Sequence, residues 1–154
     1  MGLHPSFRPV ARAAIILAIV LPNAAWADES QLVVQTETGE HSFTVEVVDT
    51  VETRSKGLMF RDELAPDAGM LFDFKEQRPV SFWMQNTLIP LDMIFIDAQG
   101  LVKNVHVNAR PLDPTGIPSD GPVQFVLEIP GGRSEEIGLK AGDHIEHDRV
   151  PAAR

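Results

Sequence analysis

The stretch that decides the fold reads Ser81-Phe82-Trp83-Met84-Gln85-Asn86-Thr87-Leu88-Ile89-Pro90-Leu91-Asp92. Pro90 fixes its own φ and pushes the preceding residue out of the helical region, so the backbone here is predicted to be extended. The run Leu91 to Ile96 then predicts a strand with apolar side chains on both faces. A strand of this kind is typical of a sheet that is covered on both sides.

Asp92 is the exception in this otherwise apolar strand. A carboxylate in a buried strand needs hydrogen-bond donors, a cation or an opening to water, because its desolvation is costly. The residue therefore marks a candidate site.

Residues 1–27 are predicted to form a secretory signal peptide. Arg8 and Arg12 give a positive start, residues 13–21 are an unbroken apolar run, and Ala25-Trp26-Ala27 fits a small-x-small cleavage site. The apolar run is shorter than the roughly 20 residues that span a bilayer. We therefore expect a periplasmic or extracellular protein with no stable membrane anchor after cleavage.

Composition narrows the class of protein. The formal net charge is −9, and removing the two arginines of the signal shifts it to −11. Such an acidic chain is a poor partner for nucleic acid. There is no cysteine, which excludes thiol chemistry and disulfides. The length predicts one domain over residues 28–148 and a flexible tail over 149–154.

The remaining pattern predicts a mainly β (α+β) fold, a single compact antiparallel barrel or sandwich with two short helices. Asp49 or Thr50 is expected to cap the first helix and Gly57 to end it, and the second helix is expected at 134–137. Strands are expected at 31–36, 42–48, 69–74, 80–85, 91–96, 101–107 and 123–129, with a last one ending near 145.

Residues 108–122 form a long loop with four prolines and two glycines. Loops of this length in compact domains are usually functional or mobile. Two interpretations stay open, a lid over a ligand site and a stiff surface loop without a role.

Five sequence blocks together resemble a known family. They are Gly57-Leu58-Met59-Phe60-Arg61, Gly69-Met70-Leu71-Phe72, Phe82-Trp83-Met84-Gln85-Asn86-Thr87, Ile89-Pro90-Leu91-Asp92 and Val126-Leu127-Glu128. In this order they are similar to domain-of-unknown-function family 192, small and often exported bacterial and archaeal proteins. The resemblance runs from about Leu32 to Ile145. It implies one compact β-rich domain and no particular activity; Gln85 departs from the basic residue more usual at that position.

Arg61, Trp83, Asn86 and Asp92 are the candidate ligand-binding residues. A guanidinium, an indole, an amide and a carboxylate can together hold a small polar ligand, such as a sugar, an amine or an acid. The structural alternative is that Asp92 caps the Asn86–Thr87 turn or pairs with Arg61, while Trp83 is core.

Glu128 adds an enzymatic alternative. A hydrolase could use Asp92 and Glu128 as paired carboxylates if the two converge. However, Glu128 alternates with Leu127 and Ile129 and shares its face with Gln124, so it is predicted to be exposed to solvent.

Three functions therefore stay open: a binding or accessory domain with a small polar pocket, the hydrolase, and a structural module of the cell envelope. An enzyme is the less favoured class, and no cofactor or metal is predicted. Four methionines raise a copper(I) alternative through their soft thioethers, but no two lie close in sequence: Met59, Met70, Met84 and Met93.

Overall fold

A computed structural model describes residues 1–2 and 29–151. The predicted signal peptide, beyond its first two residues, and residues 152–154 lie outside this described part. Nine strands and two short helices follow one another in it: β1 (Glu29–Thr36), β2 (Gly39–Val48), α1 (Val51–Lys56), β3 (Ala68–Arg78), β4 (Ser81–Phe82), β5 (Leu91–Ile96), β6 (Val102–Ala109), β7 (Ile117–Pro118), β8 (Val123–Pro130), α2 (Arg133–Glu136) and β9 (His144–Glu146).

Seven strands form one curled sheet in the order β6-β5-β8-β3-β2-β1-β9, and β4 pairs with β7 in a separate small sheet. All neighbours are antiparallel except β2 and β3, which run parallel. At one end the sheet curls far enough for the N–H of Val102 to donate to the carbonyl of Asp143 at 2.9 Å. The prediction of a mainly β fold with two short helices is confirmed.

Local sequence signals account for the first elements. The two-residue turn between Thr36 and Gly39 joins β1 to β2. Thr50 caps α1 by accepting from the N–H of Thr53, and the Thr53 side chain accepts from the N–H of Thr50 in return. Gly57, with φ of 47°, ends the helix.

The curled sheet is apolar on both faces. In β5 all six residues are buried, as the apolar side chains on both of its faces predicted. Ile94 and Ile96 face an inner core that draws on all the strands of the large sheet, while Met93 and Phe95 face an outer core. The outer core is covered by the connections around α1 and β4, which contribute Leu58 and other apolar side chains.

One predicted strand is shorter than expected. The sequence predicted a strand over 80–85, but only Ser81 and Phe82 pair, with β7. The chain then turns, because the N–H of Thr87 donates to the carbonyl of Met84 at 3.1 Å and Asn86 adopts a φ of 57°. Asn is one of the few residues that tolerate this conformation, so the Asn-Thr pair is a turn signal.

The packed chain reaches past 148, where the flexible tail was predicted to follow. Val150 is buried in the inner core and forms a bridge with His147. The described residues contain no helix that is long and apolar enough to cross a bilayer.

Candidate functional site

A cavity of about 350 Å³ lies between α1 with its following loop, the outer face of β3 and β8, and the turn after β4. This volume is at the lower end of the range for small-molecule sites. The apolar side chains of Leu58, Phe72, Phe82 and Trp83 line it, and Phe72 and Phe82 meet edge to face with their ring centroids 5.0 Å apart. Aromatic and aliphatic groups therefore form one part of the cavity wall, and polar and charged groups form the rest.

Glu128 borders this cavity from β8 and is 5% exposed. Met70 and Met93 are its register partners on the strands at either side, so their side chains flank it. None of the described residues forms a hydrogen bond or an ion pair with its carboxyl group, yet its oxygens are not sealed off by protein. Burial raises the pKa of Glu128 to about 8, so the group is mostly protonated at neutral pH.

Cationic side chains border the same cavity, from Arg54 and Lys56 on α1 and from Arg78 at the end of β3. The guanidinium groups of Arg54 and Arg78 lie over the ring of Phe74, 5.1 Å and 5.0 Å from its centroid. In the described chain none of the three cations forms an ion pair with a carboxylate. Unneutralised positive charge therefore gathers here in a chain whose net charge is −9.

Trp83 is 52% exposed and lines the cavity, so it is not a core residue. Asn86 lies in the turn that follows and does not line the cavity. Its carbonyl accepts from the N–H of Phe60 at 2.9 Å, and its side-chain amide lies 3.9 Å from the sulfur of Met59, which does line it. Of the four residues grouped from the sequence, Trp83 alone borders this cavity.

Asp92 is fully buried and points to the inner face of β5, with Ile94. Its carboxylate accepts three backbone N–H groups, from Asn108 and Gly132 at 2.8 Å and from Ser134 at 2.7 Å. It thereby ties β6 and the start of α2 to β5. The structural alternative had proposed the Asn86–Thr87 turn or Arg61 as the partner of Asp92, and Asp92 binds neither.

Arg61 forms a bidentate ion pair with Glu46 on β2, in which its Nη2 donates to Oε2 of Glu46 at 2.7 Å. The hydrogen bonds to Glu46 raise the pKa of Arg61 above its ordinary value. The residue does not line the cavity. Its structural role is to fasten the loop after α1 to the large sheet.

The two carboxylates of the hydrolase alternative do not converge. Asp92 lies on the inner face with Ile94, whereas Glu128 lies on the outer face with Val126. The predicted exposure of Glu128 is wrong, because the loops that carry Leu58 and Phe82 cover that face of the sheet. A sheet with both faces covered leaves no solvent side for an alternating polar residue.

The structure also gives the positions of the proline-rich loop and of the four methionines. The proline-rich loop 108–122, which was a candidate lid, is described throughout, and none of its residues lines the cavity. Its residue Ile117 pairs with Phe82 and packs on the outer core. Met70, Met84 and Met93 are buried in that core, and Met59 borders the cavity.

Two exposed apolar residues near the Asn86 turn adopt a left-handed backbone. Phe60 has φ of 65° and is 65% exposed, and Leu112 has φ of 62° and is 60% exposed. Backbone hydrogen bonds join Phe60 to Asn86 and Leu112 to Thr87. Bulky residues rarely adopt this conformation, so the neighbouring turn fixes it at a cost in strain.

The sequence interpretation missed most residues that line the cavity. A signal for Glu128 was present, since Phe125 to Ile129 is almost continuously apolar and such runs predict strands covered on both faces. The basic residues carried no comparable signal, because Arg54, Lys56 and Arg78 come from two separate segments whose approach depends on the fold.

Comparisons with known proteins agree with the family resemblance. The model of the family DUF192, described as "Uncharacterized ACR", matches residues 33–147. Among curated proteins, no sequence matches the chain.

Two solved structures are similar to the chain over most of its length. One is a protein of unknown function from Novosphingobium aromaticivorans DSM 12444, 37% identical, with a TM-score of 0.78 and coverage of 91% of this chain and 100% of that one. The other is called a "putative transcription regulator" from Sinorhizobium meliloti 1021, 43% identical, with a TM-score of 0.75 and coverage of 77% and 92%. With the family model spanning most of the chain, this protein belongs to the DUF192 family.

Proposed function

We propose that this protein is an exported binding domain whose cavity, bordered by Glu128, holds a small amphipathic anion. The observation that carries the proposal is the buried carboxyl group of Glu128, which borders the cavity and has no hydrogen-bond partner among the described residues. The oxygens of Glu128 are open to the cavity, so a ligand there can supply the hydrogen-bond partner that the protein does not. The site is thus centred on Trp83 and Glu128 rather than on Asp92.

Charge supports an anion as the ligand. Lys56 and Arg78 border the cavity without neutralising partners among the described residues, and nearby walls are apolar. A molecule with an apolar body and one negative group fits both features, since the body replaces water in the cavity and the charge remains near the cations.

The other candidate functions have less support. The hydrolase would need Asp92 and Glu128 close together, but the two lie on opposite faces of the sheet. The description of the Sinorhizobium meliloti protein is not extended to this chain, because a net charge of −9 opposes contact with nucleic acid. A structural envelope module remains the outcome if no small molecule binds.

Intrinsic fluorescence tests the proposal. The sequence has two tryptophans and no tyrosine, so Trp83 is the sole tryptophan once the signal is removed. If mass spectrometry shows that the purified protein retains residue 26, Trp26→Phe achieves the same. We expect octanoate to change the emission saturably and to bind more tightly than octylammonium. No saturable change with either probe contradicts the cavity as a binding site.

A matched pair of variants tests the role of charge. Lys56→Glu reverses an exposed charge beside the cavity, whereas Lys103→Glu reverses a half-exposed charge on β6, away from it. A charge pair in water contributes about 1 kcal/mol, so reversing one of the two charges changes the interaction by about 2 kcal/mol, and Lys56→Glu should weaken octanoate binding roughly thirtyfold. Equal effects of the two variants would mean that only net charge matters.

Export is tested separately. Expression of the full chain in a Gram-negative bacterium should release a protein in the periplasm that begins near Asp28. An intact N-terminus in the cytoplasm contradicts this part of the proposal without affecting the cavity.

A further inference from the structure

We propose that the ligand enters with an uncharged hydrogen-bond acceptor, such as a ketone, ester or amide carbonyl, directed at Glu128, which donates to it. This inference rests on the proposed binding function and assigns the chemistry of the ligand's inner end. The anionic group remains at the cations, so the two ends of the ligand differ in kind.

The surroundings of Glu128 decide which kind of group it meets. Its flanking side chains on the neighbouring strands are the thioethers of Met70 and Met93, and Phe72 and Leu58 line the same cavity. In this apolar environment the neutral acid is favoured over the carboxylate. A neutral carboxylic acid has one O–H donor, and no described residue accepts it. A carbonyl oxygen supplies that acceptor.

A ligand amine fits less well. An ammonium group carries three N–H donors, and the side chains that flank Glu128, those of Met70 and Met93, offer it no oxygen acceptor. The hydroxyl groups of the cavity wall belong to Ser55, Ser81 and Thr87. Bringing an ammonium and a carboxylate together there desolvates both charges, and donors would be left unpaired.

The titratable groups that face the cavity set its pH behaviour. They are Arg54 and Lys56 from α1, Arg78 from β3 and Glu128 from β8, and the neighbouring strand β5 presents Met93 beside Glu128. Since burial raises the pKa of Glu128 to about 8, its donor proton is lost above that pH.

Three carboxylates with equal numbers of heavy atoms isolate the inner end: 7-oxooctanoate and 7-methyloctanoate, which are anions, and 7-aminooctanoate, which is zwitterionic at neutral pH. They share the carboxylate and the chain and differ in one oxygen, nitrogen or carbon. Binding is measured by Trp83 fluorescence and by calorimetry on the whole protein. We expect the ketone to bind tightest, by about three- to tenfold over the methyl compound, the range for one added hydrogen bond. The amine should bind weakest.

Two substitutions separate donation from charge. Glu128→Gln keeps a donor without an ionisable group, so the ketone preference should persist and no longer decline above pH 8. Glu128→Leu removes the donor, so the ketone preference should disappear while the methyl compound still binds.

The outcomes are distinct. If none of the three compounds binds, the proposed function itself fails. If they bind but the amine is tightest, or all three bind equally, the cavity is a binding site and the assignment of its inner end is overturned. A ketone preference that survives in Glu128→Leu also overturns it, because another group must then be the donor.

Discussion

The stability of the protein should depend on pH through Glu128. In the unfolded chain this group ionises near its ordinary pKa of 4.5, whereas burial raises the pKa to about 8 in the fold. Between these values the folded state holds a proton that the unfolded state has released. Stability therefore falls as pH rises, with a slope of roughly 1.4 kcal/mol per pH unit, and levels off above about pH 8.

The magnitude is large for a domain of this size. From pH 5 to pH 8 the loss amounts to roughly 4 kcal/mol, against the roughly 5–15 kcal/mol that typically holds a protein folded. Other groups also titrate over this interval, so the contribution of Glu128 is isolated by a difference. Glu128→Gln has nearly the same shape and never ionises, so it lacks this contribution alone.

Urea unfolding of both proteins at pH 5, 6, 7, 8 and 9 gives the test. The stability of Glu128→Gln minus that of the parent should grow by roughly 4 kcal/mol up to pH 8 and then stay constant. Glu76→Gln, at an exposed position of β3, is the matched control and should give a flat difference. A flat difference for Glu128→Gln as well would refute the reasoning, because it would mean that the carboxyl group stays hydrated in the fold.

Three further predictions concern the frame around the cavity. Asp92→Asn replaces a carboxylate oxygen that accepts backbone N–H groups with an amide donor, so the free energy of unfolding in urea should fall by about 3 kcal/mol. Trp83→Phe, at an exposed position, should change it by less than about 1 kcal/mol. Equal effects of the two variants would contradict the assignment of Asp92 as a structural residue. Leu112→Gly should be more stable than Leu112→Ala by about 1 kcal/mol, because the φ of 62° at this position favours glycine. Alanine is usually the more stabilising of the two residues, and thermal melts that showed this usual order would rule out backbone strain at Leu112. Gly69→Ala should cost about 1–3 kcal/mol, since a Cβ would lie 2.8 Å from the carbonyl oxygen of Glu128, and an unchanged melting temperature would show that β3 shifts freely.

Local signals predicted much of the fold. Pro90 and the apolar run after it gave the buried strand β5, and Thr50 with Gly57 gave both ends of α1. These predictions succeed because each element is determined by residues close to one another in sequence. The determinants are the fixed φ of proline, the capping hydroxyl of threonine and a glycine that tolerates a left-handed backbone.

The candidate site was harder to predict because its determinants are distant in sequence. The three N–H groups that Asp92 binds lie 16, 40 and 42 residues away from it, so no local pattern identifies them. The exposure of Glu128 was predicted from alternation, which assumes that one face of the strand meets water. The loop with Leu58 and the turn with Trp83 cover that face, and their approach is a property of the tertiary fold.

Asp92 and Glu128 show how two buried carboxyl groups can be told apart. Asp92 is fully enclosed but has three donors, and these compensate for its burial. Glu128 is 5% exposed and has no partner among the described residues. For packing alone, a glutamine or leucine at 128 would serve the fold better at neutral pH. Because Glu128 costs stability and makes no contact that repays it among the described residues, we propose that a ligand in the cavity is its partner, and this contrast moves the candidate site from Asp92 to Glu128.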